Sequence, residues 1–469
     1  MTNLDQLIAT TLGIDADEIA DDLEYQSIRQ WDSLGHVNLM VALEKEFGLT
    51  IDDELLLELR SVKAIREFLE SGAAPAAPAA TPATPATPAP TATAPTVHRG
   101  LDGVHVDRSS ITYIGATDGV LEYRGYSIHD LAERAAFEEV AYLLLTGELP
   151  DAAALEAFAK ELRAHRRLPA PVLDLVRSLA HVHPMEALRT GVSALGAFSG
   201  GEPGHGDETY DRAREVGVAL IAQVPMLIAA HHAYRNGREP GVPAEDASHA
   251  EAFLAALLGT RPSPAAVRFV NKGLIVHADH SANASAFSAR IAVGCRSGMT
   301  AALTAAIATF AGSVHGGAAE RVVDLIDQVG SPADAEAFVA ELHRRNQPVM
   351  GFGHRVYRSE DPRVRHLRAT VEELSRERGD FRGLEIIEAV RGAMQSYARH
   401  GVAPNVDLYA GLAYRLMGLP DDLAVPMFVA GRTAGWVAQA LEQHANNVLI
   451  RPLLSYVGPR GLSYPGAAA

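Results

Sequence analysis

The run His277-Ala278-Asp279-His280-Ser281-Ala282-Asn283-Ala284-Ser285 places two imidazoles, a carboxylate and an amide within nine residues. Three more short segments combine the same polar types with glycine. They are Gly312-Ser313-Val314-His315-Gly316-Gly317; Gly351-Phe352-Gly353-His354-Arg355-Val356-Tyr357-Arg358, running on to Asp361-Pro362-Arg363; and Pro404-Asn405-Val406-Asp407. Two arginines follow, Arg432 in GRTAGW and Arg451 in LIRPL. His277 and His280 stand three apart and could share a helix face, which is half of a zinc site. No Glu lies between them in the H-E-x-x-H arrangement and no Cys is nearby, so no metal is expected. Taken singly, each of these histidines reads as a turn or core residue.

The rest of the chain sets bounds on what the segments can mean. Its 469 residues are too many for one ordinary domain. With 48% apolar residues it can bury a large core, and a formal charge of −17 argues against a nucleic-acid binder, which needs a basic face. The N-terminus has neither a basic n-region nor a continuous apolar run, so it is not a secretory signal. The longest apolar-looking stretch, residues 299–314, includes Thr and Ser and is shorter than the ~20 residues of a membrane span. A single cysteine, Cys295, permits no intrachain disulfide, and a cytoplasmic location is expected.

Composition divides the chain. Residues 72–96 consist almost wholly of Ala, Pro and Thr, and without large apolar side chains they cannot offset their ordering entropy. The segment reads as a disordered, semi-rigid spacer, reaching at most about 75 Å at ~3.1 Å per residue. Ahead of it, residues 1–71 form an acidic unit with 16 Asp or Glu against 5 Lys or Arg. Behind it, residues 97–469 are rich in Ala, Leu and Val at helical spacing. Leu155, Phe158 and Leu162 mark one helix after the start signal Pro150-Asp151. Strand signals are few: Val104/Val106, Ile111/Tyr113 and Val120/Leu121/Tyr123, around Asp118-Gly119. The expected fold class is all-α with minor short strands.

Within the acidic unit, Trp31-Asp32-Ser33-Leu34-Gly35-His36 precedes an apolar stripe through Leu34, Val37, Met40, Val41, Leu43 and Phe47. A helix therefore starts near Ser33, where free backbone N–H groups and the dipole favour an anion. A plain capping serine would look the same. The wider context separates the two: after Asp-Ser-Leu come Glu44-Lys45-Glu46-Phe47-Gly48 and a final SVKAIREFLE helix. All of residues 1–71 resembles an acyl carrier protein. The resemblance implies a four-helix bundle with 4′-phosphopantetheine on Ser33, a phosphopantetheinyl transferase and acyl-loading enzymes as partners, and Glu44 and Glu46 on a docking face.

Together, in identity, order and spacing, the four His/Arg/Asp segments resemble the citrate synthase family. The likeness runs from about Gly100, through DGVLEYRGYSIHDLA and HPMEALRTGVSALGAF, to SYVGP. In length it is closer to the shorter bacterial and archaeal members, 2-methylcitrate synthases included. The resemblance implies a two-domain helical homodimer, its small domain spanning roughly 316–410 and closing over the substrates. It assigns Asp407 as the base that removes a proton beside a thioester. His315 would hold the thioester oxygen, oriented by Asn283 and Ser285, and His354 would polarise the ketone and donate its proton. His280, Arg363, Arg432 and Arg451 match acceptor-binding positions, the last supplied by the neighbouring subunit. Arg358 matches a coenzyme A or pantetheine contact, with Gly351-Phe352-Gly353 near the adenine end. The sequence departs from the family pattern at Ser313, where Pro is common, at Ala319, where Asn is common, and at Ser281, where Glu or Gly is usual.

Such chemistry makes sense of the residue types. A thioester α-carbon is a very weak acid and needs a positioned base with simultaneous stabilisation of the enolate oxygen. A dianionic acceptor such as oxaloacetate calls for fork-shaped guanidinium donors. Three functions are open at this level. The chain could condense a carrier-bound acyl thioester with oxaloacetate or a related 2-oxo acid. It could be a coenzyme-A-dependent citrate or 2-methylcitrate synthase whose carrier serves another enzyme. It could be a non-catalytic dimeric scaffold that presents carriers.

Overall fold

The computed structural model describes residues 4–28, 30–71, 97–101, 103–198, 208–316, 318–354 and 356–460. The spacer at 72–96 lies outside them, as do Gly317 and Arg355. The fold is all-α, 62% helix and 3% strand, as the apolar periodicity predicts.

Among the described residues the N-terminal unit has four α-helices: α1 (Leu4–Leu12), α2 (Ser33–Phe47), α3 (Asp53–Glu58) and α4 (Val62–Ser71). Its core is separate from the rest, built from Ile8, Leu12, Trp31, Leu39, Met40, Leu43, Ile51, Leu59, Val62 and Ile65. Helix α2 begins where the motif predicts. Its N-cap is Asp32, whose carboxylate accepts from the Gly35 N–H at 2.9 Å, so Ser33 is not needed as the cap. Gly48 ends the helix in the left-handed region at φ 65°. On either side of Ser33, Trp31 Nε1 donates to His36 Nδ1 (3.1 Å), and His36 Nε2 meets the Leu56 carbonyl (3.0 Å). Both rings are buried, which pins the start of α2 to the bundle.

The larger unit has one continuous core running from Ile111 to Leu441, and residues of the expected small domain belong to it. Asp151 caps the helix Ala152–His165, which buries Phe158 and Leu162 as its spacing predicts. A long helix with an extended apolar window is Tyr210–Arg235, outside the 299–314 stretch, of which only Met299–Phe310 is helical. By length and composition Tyr210–Arg235 could cross a membrane, but 89% of its apolar window is buried inside the protein, where it packs against the helix Ala424–Ala445.

The strands β1 (Thr112–Gly115), β2 (Val120–Tyr123) and β3 (Tyr126–Ser127) form one antiparallel sheet, with Thr112 opposite Tyr123 and Ile114 opposite Leu121. Gly119, at φ 65°, turns the chain between the first two. Val104 and Val106 lie outside the sheet and are exposed, so alternation alone misassigned them. Ile111 sits just before β1 and is fully buried. This small sheet holds a functional loop in place. The Tyr123 hydroxyl donates to the Asp279 carbonyl (3.0 Å), and the Thr112 hydroxyl donates to Asp279 Oδ2 (2.6 Å).

Candidate active site

Two helices bring the first segment and Arg432 together. The helix Pro264–His277 ends at that segment, and the helix Ala424–Ala445 crosses close behind. That approach depends on glycine: a Cβ on Gly435 would lie 2.1 Å from the Ala278 carbonyl oxygen, where the Gly435 N–H instead donates at 3.0 Å. The crossing delivers Arg432, whose Nε donates to the His277 carbonyl at 2.7 Å while its guanidinium carbon lies over the rings of Phe310 and Phe428, 5.9 and 4.9 Å from their centroids. Ser281 follows at φ 52°, a left-handed position that is unusual for a residue with a Cβ. Its N–H donates to Asp279 Oδ2 (2.9 Å), which explains how a serine is held in it.

The two imidazoles of the first segment diverge. His277 stacks on Phe428 with ring centroids 3.8 Å apart, whereas His280 Nε2 meets the Tyr357 hydroxyl at 3.3 Å. Among the described residues no group of three or more His, Cys, Asp or Glu side chains is placed to hold a metal.

His315 lies edge-on to Phe310, centroids 4.7 Å apart, and its Nε2 is 2.9 Å from Ser285 Oγ. Ser285 is anchored in turn by the Asn283 amide oxygen (2.7 Å) and by Trp436 Nε1, which donates to its oxygen at 3.1 Å. The Ser285 backbone N–H also points at Nε2 (3.4 Å) and can only donate. Nε2 is assigned as the acceptor of this N–H, with the ring proton on Nδ1, so the one hydroxyl proton of Ser285 is shared between Nε2 and the Asn283 amide oxygen. His354 has the opposite tautomer. Its Nδ1 accepts from the Val356 and Tyr357 N–H groups at 3.0 and 3.1 Å, so its proton is on Nε2. The rings of His354 and His280 meet edge-on at 5.1 Å.

Asp407 opens the helix Asp407–Leu416, its N–H held by the Asn405 amide oxygen at 3.0 Å. The loops carrying His354 and Asp407 are joined to each other. Gly353 N donates to Ala403 O (2.8 Å), Asn405 N to Gly351 O (2.9 Å) and Asn405 Nδ2 to Gly353 O (3.0 Å). Gly351, at φ 84°, allows this: a Cβ there would lie 2.7 Å from Leu408 Cδ1.

Charge completes the cluster. Arg363 is fully buried and clamps Asp361 through Nε (2.9 Å) and Nη2 (2.6 Å). Arg363 and Arg432 both act on Asp407 and on His280; Arg363 also acts on His354, and Arg432 on His315. Burial lifts the Asp407 carboxyl to about 6, against the pull of the two guanidiniums. Burial, helped by the same cations, lowers His315 and His354 to about 4 each, and His280 well below the usual imidazole range. At neutral pH the site thus combines two ionised carboxylates, Asp407 and the Arg363-paired Asp361, with three neutral imidazoles and two buried cations. It is an acid–base site built for an anionic substrate.

Arg358 and Arg451 stand apart from it. Arg358 is exposed, its N–H bonded to the Ala116 carbonyl (3.1 Å), and Arg451 lies on an exposed, extended C-terminal segment. Sequence reasoning quoted Tyr357, Asp361, Asn405 and Trp436 within its motifs but gave them no role. The two-residue spacing of Asp361 and Arg363 was the available signal for an ion pair. Nothing local pointed Trp436 at Ser285.

Ser285→Ala tests how His315 is held. Loss of Oγ frees the imidazole and leaves Trp436 Nε1 unpaired, costing about 1–3 kcal/mol of stability. A misplacement of this kind lowers kcat on the order of a hundredfold. The KM for the 2-oxo acid should stay nearly constant in steady-state assays.

Comparison with known proteins agrees with this architecture. The family model for the citrate synthase C-terminal domain matches residues 100–453, and that for the phosphopantetheine attachment site matches residues 3–69. The chain is 38% identical over 367 residues to citrate synthase of Synechocystis, spanning 78% of this chain and 92% of that one. It is 39% identical over 379 residues to 2-methylcitrate synthase 2 of Corynebacterium glutamicum, covering 78% and 96%. The solved ternary complex of Thermoplasma acidophilum citrate synthase with carboxymethyl coenzyme A and oxaloacetate superposes with a TM-score of 0.74 at 29% identity, covering 79% and 98%. The chain belongs to the citrate synthase family. It is an enzyme of that kind, preceded by a phosphopantetheine-attachment domain.

Proposed function

We propose that this enzyme joins an acyl thioester, carried on its own Ser33 arm, to the ketone carbon of oxaloacetate or a related 2-oxo acid. The observation that carries the condensation is a carboxylate lifted to about 6 among neutral imidazoles and buried guanidiniums, and the attachment domain on the same chain is what supports the arm as donor. Asp407 takes the proton from the thioester α-carbon. His315 donates Nδ1–H to the thioester oxygen as charge builds there, a role suited to a neutral ring. The new carbon–carbon bond forms at the ketone carbon, whose oxygen receives the Nε2 proton of His354, and water then cleaves the thioester. Arg432 has both terminal nitrogens free of the bond made by its Nε, and Arg363 has Nη1 beyond its clamp on Asp361; these suit the acceptor's carboxylates. Arg451 would reach this site only from a second copy. The exposed Leu453, Leu454 and Val457 beside it support a homodimer in which that segment is covered.

Ser33 fits its assigned role. It is the first residue of α2, behind a separate cap and between the buried Trp31 and His36. The arm supplies a thiol that holds the acyl group. A tethered donor has an effective concentration in the millimolar range.

The likeness to a complex with a coenzyme A derivative favours a second reading, in which the free acyl-CoA is the donor. Mass spectrometry of acyl-loaded, phosphopantetheinylated protein separates the two. Added 2-oxo acid is expected to return the arm to its free-thiol mass. An unchanged acyl-arm mass, together with intact acyl-CoA turnover in Ser33→Ala, selects the second reading.

A further inference from the structure

We propose that the face formed by Asn346, Arg399 and His400 is the dock at which the carrier unit delivers its arm, so that the carrier seats directly on the loops holding His354 and Asp407. The proposal rests on the carrier-donor reading above. Two positions of α2 meet this face. Asn38 Nδ2 donates to Asn346 Oδ1 at 3.0 Å, and Glu44 Oε2 lies 2.9 Å from His400 Nε2, with the Arg399 guanidinium 4.0 Å from the same oxygen. Asn38 and His400 are buried, at 8% and 5% exposure, and the Glu44 side chain is 11% exposed. Glu44 is held ready by its own unit, since its Oε1 accepts from the Ile51 N–H at 2.9 Å.

The position of the dock gives it a function. Asn346 stands eight residues before His354 and His400 seven before Asp407, at the entries to the two joined catalytic loops. Arg358 borders it as well: a Cβ on Gly401, next to His400, would lie 3.6 Å from Arg358 Cδ. The residue that resembles a pantetheine contact therefore adjoins the dock. Charge agrees, because Glu44 meets Arg399 and His400, while Arg344 and Arg345 beside Asn346 are paired with Glu341. Ser33, at the start of the same helix, sits only ~8 Å along its axis from Asn38. Polar contacts at the rim of an acidic domain make a reversible seat, as needed by a carrier that must leave for reloading.

The test uses full-length, phosphopantetheinylated protein with Cys295→Ser as background. With Asn38→Cys and Asn346→Cys added, a short bismaleimide reagent is expected to link the two units. A link within one chain or between two chains supports the dock and identifies which protomer delivers. Arg399→Glu, at an exposed position beside Glu44, should cut the yield severalfold, and absence of any link overturns the dock. Separately, Arg399→Glu and Asn346→Gly should each slow discharge of the acyl arm tenfold or more. Glycine suits the Asn346 backbone, which lies at φ 51°. Turnover of free acyl-CoA should stay within twofold in both variants. Wild-type discharge rates in both variants overturn the delivery role. If the wild-type arm is never discharged, the carrier-donor reading fails with the delivery role, whereas the link alone decides whether the dock exists.

Discussion

Asp407→Asn is expected to cut condensation by about 10²–10⁴-fold, the range for loss of a positioned general base, while making the protein more stable at pH 8. Asparagine keeps the shape and the N-terminal place in the helix but cannot take a proton. Burial raises the Asp407 carboxyl from 3.8 to about 6, so folding disfavours its ionised form. The resulting penalty is absent below pH 4, grows as pH rises through the interval to 6, and is fully present above it. It amounts to at most about 3 kcal/mol. Thermal unfolding at pH 8 should show the asparagine variant melting higher than wild type, and the two should converge toward pH 4. Wild-type kcat/KM should fall as pH drops through about 6. His315 and His354, at about 4, should add no inflection between pH 6 and 8. A variant with unchanged activity would support the scaffold reading instead.

Arg363→Leu carries the largest expected structural cost. Arg363 and Asp361 are paired at 3% and 0% side-chain exposure, and removing one partner strands the other charge. Breaking a buried pair this way typically costs about 3–5 kcal/mol. Adding Asp361→Asn removes the stranded charge, so the double variant should recover most of the stability measured by denaturant unfolding. Activity should not return with it. A hydrogen bond from a charged donor is worth roughly 1.5–3 kcal/mol. The KM for the 2-oxo acid should therefore stay raised by about ten- to a hundredfold. Recovery of both properties together would show that Arg363 acts only through packing.

The helical class was legible because apolar side chains recur at helical intervals, as at Phe158 and Leu162. The start of α2 was legible because Asp32 caps a stripe that then buries Val37, Met40 and Leu43, although Phe47, counted in that stripe, is exposed and Leu39, left out of it, is fully buried. The alternation at Val104 and Val106 misled because two alternating apolar residues need a neighbouring strand, and none pairs there. His277 and His280 could be placed on a common helix face by spacing, but the helix ends at His277 and the chain then turns, sending the rings to Phe428 and Tyr357.

By itself the sequence determined the all-α class, the acidic unit with Ser33 at a helix start, the Ala/Pro/Thr composition of residues 72–96, and which His, Asp and Arg residues belong to the motifs. These are properties of local spacing and side-chain chemistry, which the chain carries wherever it folds. Only the tertiary structure decided that burial would set Asp407 near 6 and keep the histidines neutral. It alone gave His315 and His354 opposite tautomers, and brought Asn38 and Glu44 of α2 against Asn346 and His400. Desolvation, ring orientation and contact between distant segments depend on what packs around each group, and that environment is assembled from residues hundreds of positions apart.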